Sequence, residues 1–194
     1  MSRRRSASCA SSIRPPDQRV TQFPGPVPRL GNWGGWLPYE EGGSVKTQEF
    51  FEYQFEKFAL RVPKGYWYAG YDTWVRVRDG DALIGVTDFF QTKLGDILYV
   101  DPVQADEIEQ DDVLATLESV KAAVDITAPA TGDVIEINPA LTDRPELVNQ
   151  DPYGEGWIVR LRLTDWEDDQ AMLLPAEAYF KLMQEKVAKE LERE

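Results

Sequence analysis

One lysine stands out among the residues that could do chemistry. Lys121 sits in "LESVKAAVDITAP", residues 117 to 129, between small and β-branched neighbours in a run that otherwise reads as strand. A lysine at a hairpin tip is ordinarily a solvated turn residue and nothing more. Here its neighbours are Val120, Ala122 and Ala123 instead of the Gly, Asn or Asp that make tight turns on their own. Small neighbours leave the ammonium open to an enzyme that must grip it, and a lysine amine is a natural anchor for a long acyl group, because the amide is stable and removes the charge. Other chemistry is poorly supplied. The 194 residues contain no histidine, which removes the commonest general base, the commonest zinc ligand and every imidazole-dependent triad. Cys9 is the single cysteine, so an internal disulfide, a C-x-x-C redox pair and a thiolate metal site within one chain are excluded. No Gly-rich phosphate loop is present either. Any redox or acyl chemistry must therefore arrive on something attached to the chain.

The elements that would position Lys121 follow from periodicity. "DVLATLESV" and "AAVDITAP" read as two strands joined near the lysine, which then projects from a hairpin tip. "GDILYV" at 95–100 and "GDVIEI" at 132–137 are near-identical hexamers, taken as an internal repeat. Two strands entered through equivalent Gly-Asp turns suggest two small sheets related by approximate twofold symmetry around one core. "TWVRVRDGDALIGVT" reads as a hairpin, and "TDFFQTKLG" as one or two helical turns capped by Thr87 or Asp88 and stopped by Gly95. "RPELVNQ" is a brief helical turn and "WIVRLRL" a strand. The C-terminal stretch from Pro175 forms a helix of about five turns with an apolar stripe of Ala178, Tyr179, Leu182, Met183 and Val187.

The N-terminal part differs. Residues 1–44 hold much of the Pro, Gly and Ser and show no sustained period; they read as a disordered tail or a mis-called start, with Val45 one possible true beginning since no second Met precedes Met172. "MSRRRSASCASSIRPP" also matches the composition of an organellar transit peptide, although Pro15 and Pro16 would cut an amphipathic helix short. "TQEFFEYQFEKFALRV", with Phe50, Phe51, Phe55, Phe58 and Ala59 near helical spacing, predicts a helix over about 47–60, so residues 45–70 are expected to be a helical extension and 71–194 the main domain.

Composition bounds the partners. A net charge of −13 repels a phosphate backbone, so nucleic acid is not expected. No apolar run approaches the ~18 to 20 residues of a spanning helix, so no membrane partner is expected and the default location is cytoplasmic, with the mitochondrial matrix as the alternative.

Around Lys121 the five residues Glu118, Ser119, Val120, Lys121 and Ala122 resemble the lipoylation motif of the glycine cleavage system H protein family. Further similarity lies in "GVTDFFQTKLGDILYVD" at 85–101, "APATGDVIEIN" at 128–138, "PELVNQDPYGEGW" at 145–157 and "LLPAEAY" at 173–179, in register over roughly residues 70 to 180. The resemblance implies a mainly β fold with flanking helices, a barrel-sandwich hybrid of the lipoyl-domain kind, here with an added N-terminal and a C-terminal helix. It implies lipoate as the covalent cofactor on Lys121, with Glu118, Ser119, Val120 and Ala122 as the motif that the lipoylating enzyme recognises. It further implies a carrier and not an enzyme: a lipoyl-lysine that shuttles an aminomethyl intermediate from glycine decarboxylase to an aminomethyltransferase and is reoxidised by dihydrolipoyl dehydrogenase. A biotin carrier would have Met on both sides of the lysine, and a lipoyl domain of a 2-oxoacid dehydrogenase complex would have Asp before it; neither pattern is present.

Two departures bear on the pathway. Asp72-Thr73-Trp74 stands where the family usually has His-Glu-Trp, and Phe89 where a His or Tyr is expected. By resemblance these positions lie near a cleft that shelters the loaded arm. The alternative of an H-protein-like carrier for another pathway, such as lipoate-dependent sulfur oxidation, or a lipoate relay protein, is therefore kept. The acids Asp106, Glu107, Glu109, Asp111 and Asp112 are a candidate dock for a basic partner.

Overall fold

The computed structural model describes residues 48–55 and 58–192; the N-terminal tail, Cys9 and Val45 lie outside the described residues. Its frame begins with the expected hairpin, β4 (Thr73–Arg78) and β5 (Asp81–Val86), paired from Thr73 opposite Val86 to Arg78 opposite Asp81. Asp79 and Gly80 close it with φ of 53° and 84°. Two consecutive left-handed residues match the right-handed twist of the flanking strands, which is why an Asp-Gly pair serves here.

Around that hairpin grows an antiparallel sheet of seven strands. It runs β12 (Leu174–Pro175), β3 (Trp67–Tyr68), β4, β5, β11 (Val159–Leu163), β10 (Gly132–Ile137), β7 (Glu107–Ile108). A second sheet holds three strands in the order β6 (Ile97–Pro102), β8 (Val113–Ser119), β9 (Ala123–Thr127). Both sheets are open, so the two layers form a sandwich with no closed barrel. Val75, Ile84 and Leu161 from the large sheet share one buried core with Val100, Leu117 and Ile126 from the small one.

The two repeat strands fall one in each sheet, as β6 and β10. Their glycines are required for different reasons. Gly95 has φ +84°, whereas a Cβ on Gly132 would stand 2.3 Å from the Arg162 carbonyl oxygen, so β10 and β11 need that residue bare to come together.

Short helices cover the ends: α1 (Asp88–Leu94), α2 (Ala140–Asp143), α3 (Leu147–Gln150) and α4 (Trp166–Ala171). In α1 the Thr87 hydroxyl accepts from the Phe90 N–H, and the Gly95 N–H closes the last turn on the Gln91 carbonyl, as the sequence predicts. The C-terminal helix α5 (Ala176–Leu191) follows Pro175 and buries Ala176, Tyr179, Phe180, Met183 and Val187. With Tyr68, Trp74, Phe89 and Trp157 these make a second apolar cluster, in which the Tyr68 and Tyr179 rings stack 4.5 Å apart.

The expected N-terminal helix is not formed. Residues before the main sheet make a separate two-stranded hairpin, β1 (Phe50–Phe55) with β2 (Phe58–Pro63). Register explains the difference. Phe51 faces Val62 and Tyr53 faces Leu60, so a period of two places Leu60 and Val62 in the second cluster with Phe51 and Tyr53 packed against it. Aromatic residues favour that pleated, half-buried setting, and their spacing imitates a helix over a short window. The strand Trp67–Tyr68 belongs to the large sheet, which therefore begins before residue 71.

Candidate modification site

The hairpin β8–β9 carries Lys121 at its tip, with Glu118 opposite Ala123 as the last pair below the turn. Neither glycine nor asparagine makes this turn. Ser119 makes it, in two ways: its N–H donates to the Ala122 carbonyl at 2.9 Å, and its hydroxyl oxygen accepts from the N–H groups of Lys121 (3.1 Å) and Ala122 (3.2 Å). The same hydroxyl lies 3.2 Å from the Ala122 carbonyl oxygen as donor. A short polar side chain thus supplies the local bonds that a glycine turn would leave to the backbone, and Val120 and Lys121 are free of structural duty.

Their exposure follows. Val120 is 76% exposed, and Lys121 and Ala122 are exposed beside it. The end of the lysine stem lies over Gly95 at the close of α1: a methyl group on that glycine would meet Cε at 3.6 Å and Nζ at 3.7 Å. Among the described residues no carboxylate pairs with this ammonium, in contrast to Lys64, Lys93 and Lys186, which bridge Glu49, Glu190 and Asp72. Glu118 points to the open face of the small sheet next to Tyr99. The five motif residues therefore run from the end of β8 through one turn. The geometry suits acylation of an accessible amine, since the small Ala122 and Ala123 leave room for the enzyme and no salt bridge to a described residue has to break.

The residues that depart from the expected pattern are placed elsewhere. Asp72, with φ 74°, accepts hydrogen bonds from the Tyr179 hydroxyl (2.8 Å) and the Lys186 ammonium (2.5 Å), and its carbonyl accepts from the Thr87 N–H. Lys186 also donates to the Gly70 carbonyl at 2.7 Å and lies 5.9 Å from the Phe89 ring centre. Burial pushes the Tyr179 hydroxyl well above the usual phenol range, and the Asp72 charge adds to the shift. Trp74 shares its indole N–H between the Val86 and Pro152 carbonyls. Phe89 is 4% exposed. Asp72, Tyr179 and Lys186 form an internal network that fastens α5 to the residues leading into β4. Sequence reasoning missed Lys186.

The acidic loop between β7 and β8 is likewise partly self-sufficient. Asp112 accepts from the Glu109 N–H through its carboxylate and donates its own N–H to the Glu109 carbonyl, while Asp106, Glu107 and Asp111 are exposed. Among the described residues no group of His, Cys, Asp and Glu is arranged to hold a metal ion, and no helix is long and apolar enough to cross a membrane.

A family model described as "Glycine cleavage H-protein" matches residues 66–186. The chain is 48% identical over 120 residues to the glycine cleavage system H protein of Psychrobacter sp., covering 61% of this chain and 94% of that protein. It is 43% identical over 126 residues to the H protein of Thermus thermophilus, covering 64% of this chain and 98% of that one. The crystal structure of a glycine cleavage system H protein from Mycobacterium marinum superposes with a TM-score of 0.55 at 29% identity, covering 61% of this chain and 95% of that one. The β1–β2 hairpin precedes the matched residues.

Proposed function

This chain belongs to the glycine cleavage H-protein family, and on that premise we propose that it is the lipoyl carrier of a glycine cleavage system, with Lys121 as the attachment point. The single observation that carries the assignment is an exposed lysine, without a carboxylate partner among the described residues, at the tip of a serine-closed hairpin. Lipoate held there would supply a dithiolane that exchanges between disulfide and dithiol.

The chain's own contribution is presentation. Ser119 holds the turn so that the exposed Lys121 can serve as a tether root, and Glu118 on the adjoining strand offers the lipoylating enzyme a charge three residues before the lysine. A long tether on a rigid sandwich raises the effective concentration of the attached group at each active site that the carrier visits. No residue of the chain has to act as acid, base or nucleophile, which accords with the absence of histidine. The partners are the lipoylating enzyme, glycine decarboxylase, an aminomethyltransferase and dihydrolipoyl dehydrogenase. The bacterial and archaeal sources of similar H proteins support a cytoplasmic location.

The test is catalysis by the partner. Lipoylated protein offered to glycine decarboxylase supports bicarbonate exchange into glycine, and the Lys121→Arg protein does not. A lipoylated chain that stays inactive, with another H protein active in parallel, assigns the carrier to a different lipoate-dependent pathway.

A further inference from the structure

Asn149 is the third residue of α3, a helix of four residues whose caps it does not supply. Its carboxamide is nonetheless fully used by partners far away in sequence. Oδ1 accepts from the Ile97 N–H at 2.9 Å; Nδ2 donates to the Gly95 carbonyl at 3.0 Å and to Gln91 Oε1 at 3.0 Å. The orientation of the amide is forced, because Ile97 offers only a donor and Gly95 only an acceptor. Gln91 is oriented too, since its own Nε2 is committed to Asp88 Oδ1 and Thr92 Oγ1.

Those three partners lead to the lysine by two routes. Gly95 is the residue over which the Lys121 Cε and Nζ lie. Ile97 opens β6 opposite Ser119, whose hydroxyl holds the Lys121 and Ala122 N–H groups. Gln91 belongs to the last turn of α1, which ends at Gly95. One side chain therefore ties together the last turn of α1, the corner beneath the stem and the strand that registers the turn. Nothing in α3 itself calls for asparagine at this position.

We infer that Asn149 is a positioning residue for the acylation of Lys121: it holds the wall that directs the ε-amine toward the modifying enzyme. The inference rests on the reading of Lys121 as the acylated residue. An acyl-transfer enzyme needs the amine within about 3 to 3.5 Å of the activated carboxyl, and a displacement of 1 Å costs on the order of 100-fold in rate. In an aspartate variant a carboxylate would face the Gly95 carbonyl and Gln91 Oε1, two acceptors, so the wall would part while the shape of the residue is kept.

The experiment follows lipoyl transfer to the full-length protein by a purified lipoate ligase with lipoate and ATP, read by intact mass as a function of protein concentration. For Asn149→Asp, folded by near-UV circular dichroism, kcat falls about 10-fold with KM within about 2-fold. Asn138→Asp is the control. That asparagine also spends its carboxamide on distant backbone, donating to the Glu155 and Trp157 carbonyls, but none of its bonds reaches the corner under Lys121. Its kcat stays within about 2-fold of wild type. Equal losses in both variants, or none in Asn149→Asp, overturn the inference. Should Asn149→Asp fail to fold, the wild-type protein decides by NMR: contacts between the Asn149 side-chain amide and Gly95 and between Lys121 Hε and Gly95 Hα support the inference, and their absence overturns it. Wild-type protein left unmodified while another H protein is modified sinks the reading of Lys121 itself, a failure that the NMR contacts do not share.

Discussion

Ser119 and Lys121 divide the work at the hairpin tip, one closing the turn and the other leaving it. Removing the hydroxyl in Ser119→Ala takes away the acceptor for two N–H groups in an exposed loop, where water replaces part of what is lost. The expected cost is about 1 kcal/mol in urea denaturation, with the rate of lipoyl transfer lowered several-fold because the turn wanders. An unchanged transfer rate would show that the enzyme shapes the turn for itself. Asp88 offers a second test at this scale. Burial raises its carboxyl above the ordinary aspartate range, with the Arg61 N–H and the Gln91 amide partly opposing. A carboxyl held more tightly protonated in the fold contributes stability that is complete below its unfolded pKa and is lost as pH rises through the folded one. Wild type minus Asp88→Asn should therefore become less favourable to wild type as pH rises from below to above the ordinary aspartate range in paired urea titrations. A difference that moves the other way contradicts this account of the site. Lys121 was legible in the sequence because Glu118 to Ala122 are contiguous. Asn149 and Lys186 were not, because their partners lie 52 to 58 and 114 to 116 residues away.

The elements show the same limit from another side. Strands with clean alternation and a specified turn, such as β4 and β5, were readable from local chemistry, and so was α1 between Thr87 and Gly95. The β1–β2 hairpin was not, since five aromatic residues in nine positions satisfy a helical stripe as well as a pleat until a partner face is known. That face is the second apolar cluster. Leu60 and Val62 are fully buried in it, the Tyr153 hydroxyl donates to the Arg61 carbonyl at 2.7 Å, and the Tyr68 hydroxyl donates to the Pro63 carbonyl at 2.7 Å. Leu60→Ala is expected to cost about 2–5 kcal/mol in urea denaturation. A cost below about 0.5 kcal/mol would mean that the hairpin is not docked in solution. Asp72→Ala should also destabilise, by about 1–3 kcal/mol, because it removes the acceptor shared by the Lys186 ammonium and the Tyr179 hydroxyl, leaving the latter only the Thr87 hydroxyl, and places alanine at φ 74°.

At the scale of the whole molecule, two open sheets share one core while α5 and the N-terminal hairpin close a second cluster beside it. This division separates stability from presentation: among the described residues the buried aromatic side chains all lie in the second cluster, and the small sheet exposes its hairpin tip. The excess of carboxylates keeps such a carrier soluble and favours partners with basic surfaces. Two sheets around one core were foreseeable from the Gly-Asp repeat, whereas their unequal size, seven strands against three, depends on short strands of two residues that carry no local signal. The claim on which everything else depends is covalent lipoate on Lys121. Intact mass after expression with a lipoylating enzyme tests it most directly: the account predicts one lipoyl increment on the wild-type chain and none on Lys121→Arg. An unmodified wild-type chain, or the same increment on Lys121→Arg, would contradict it.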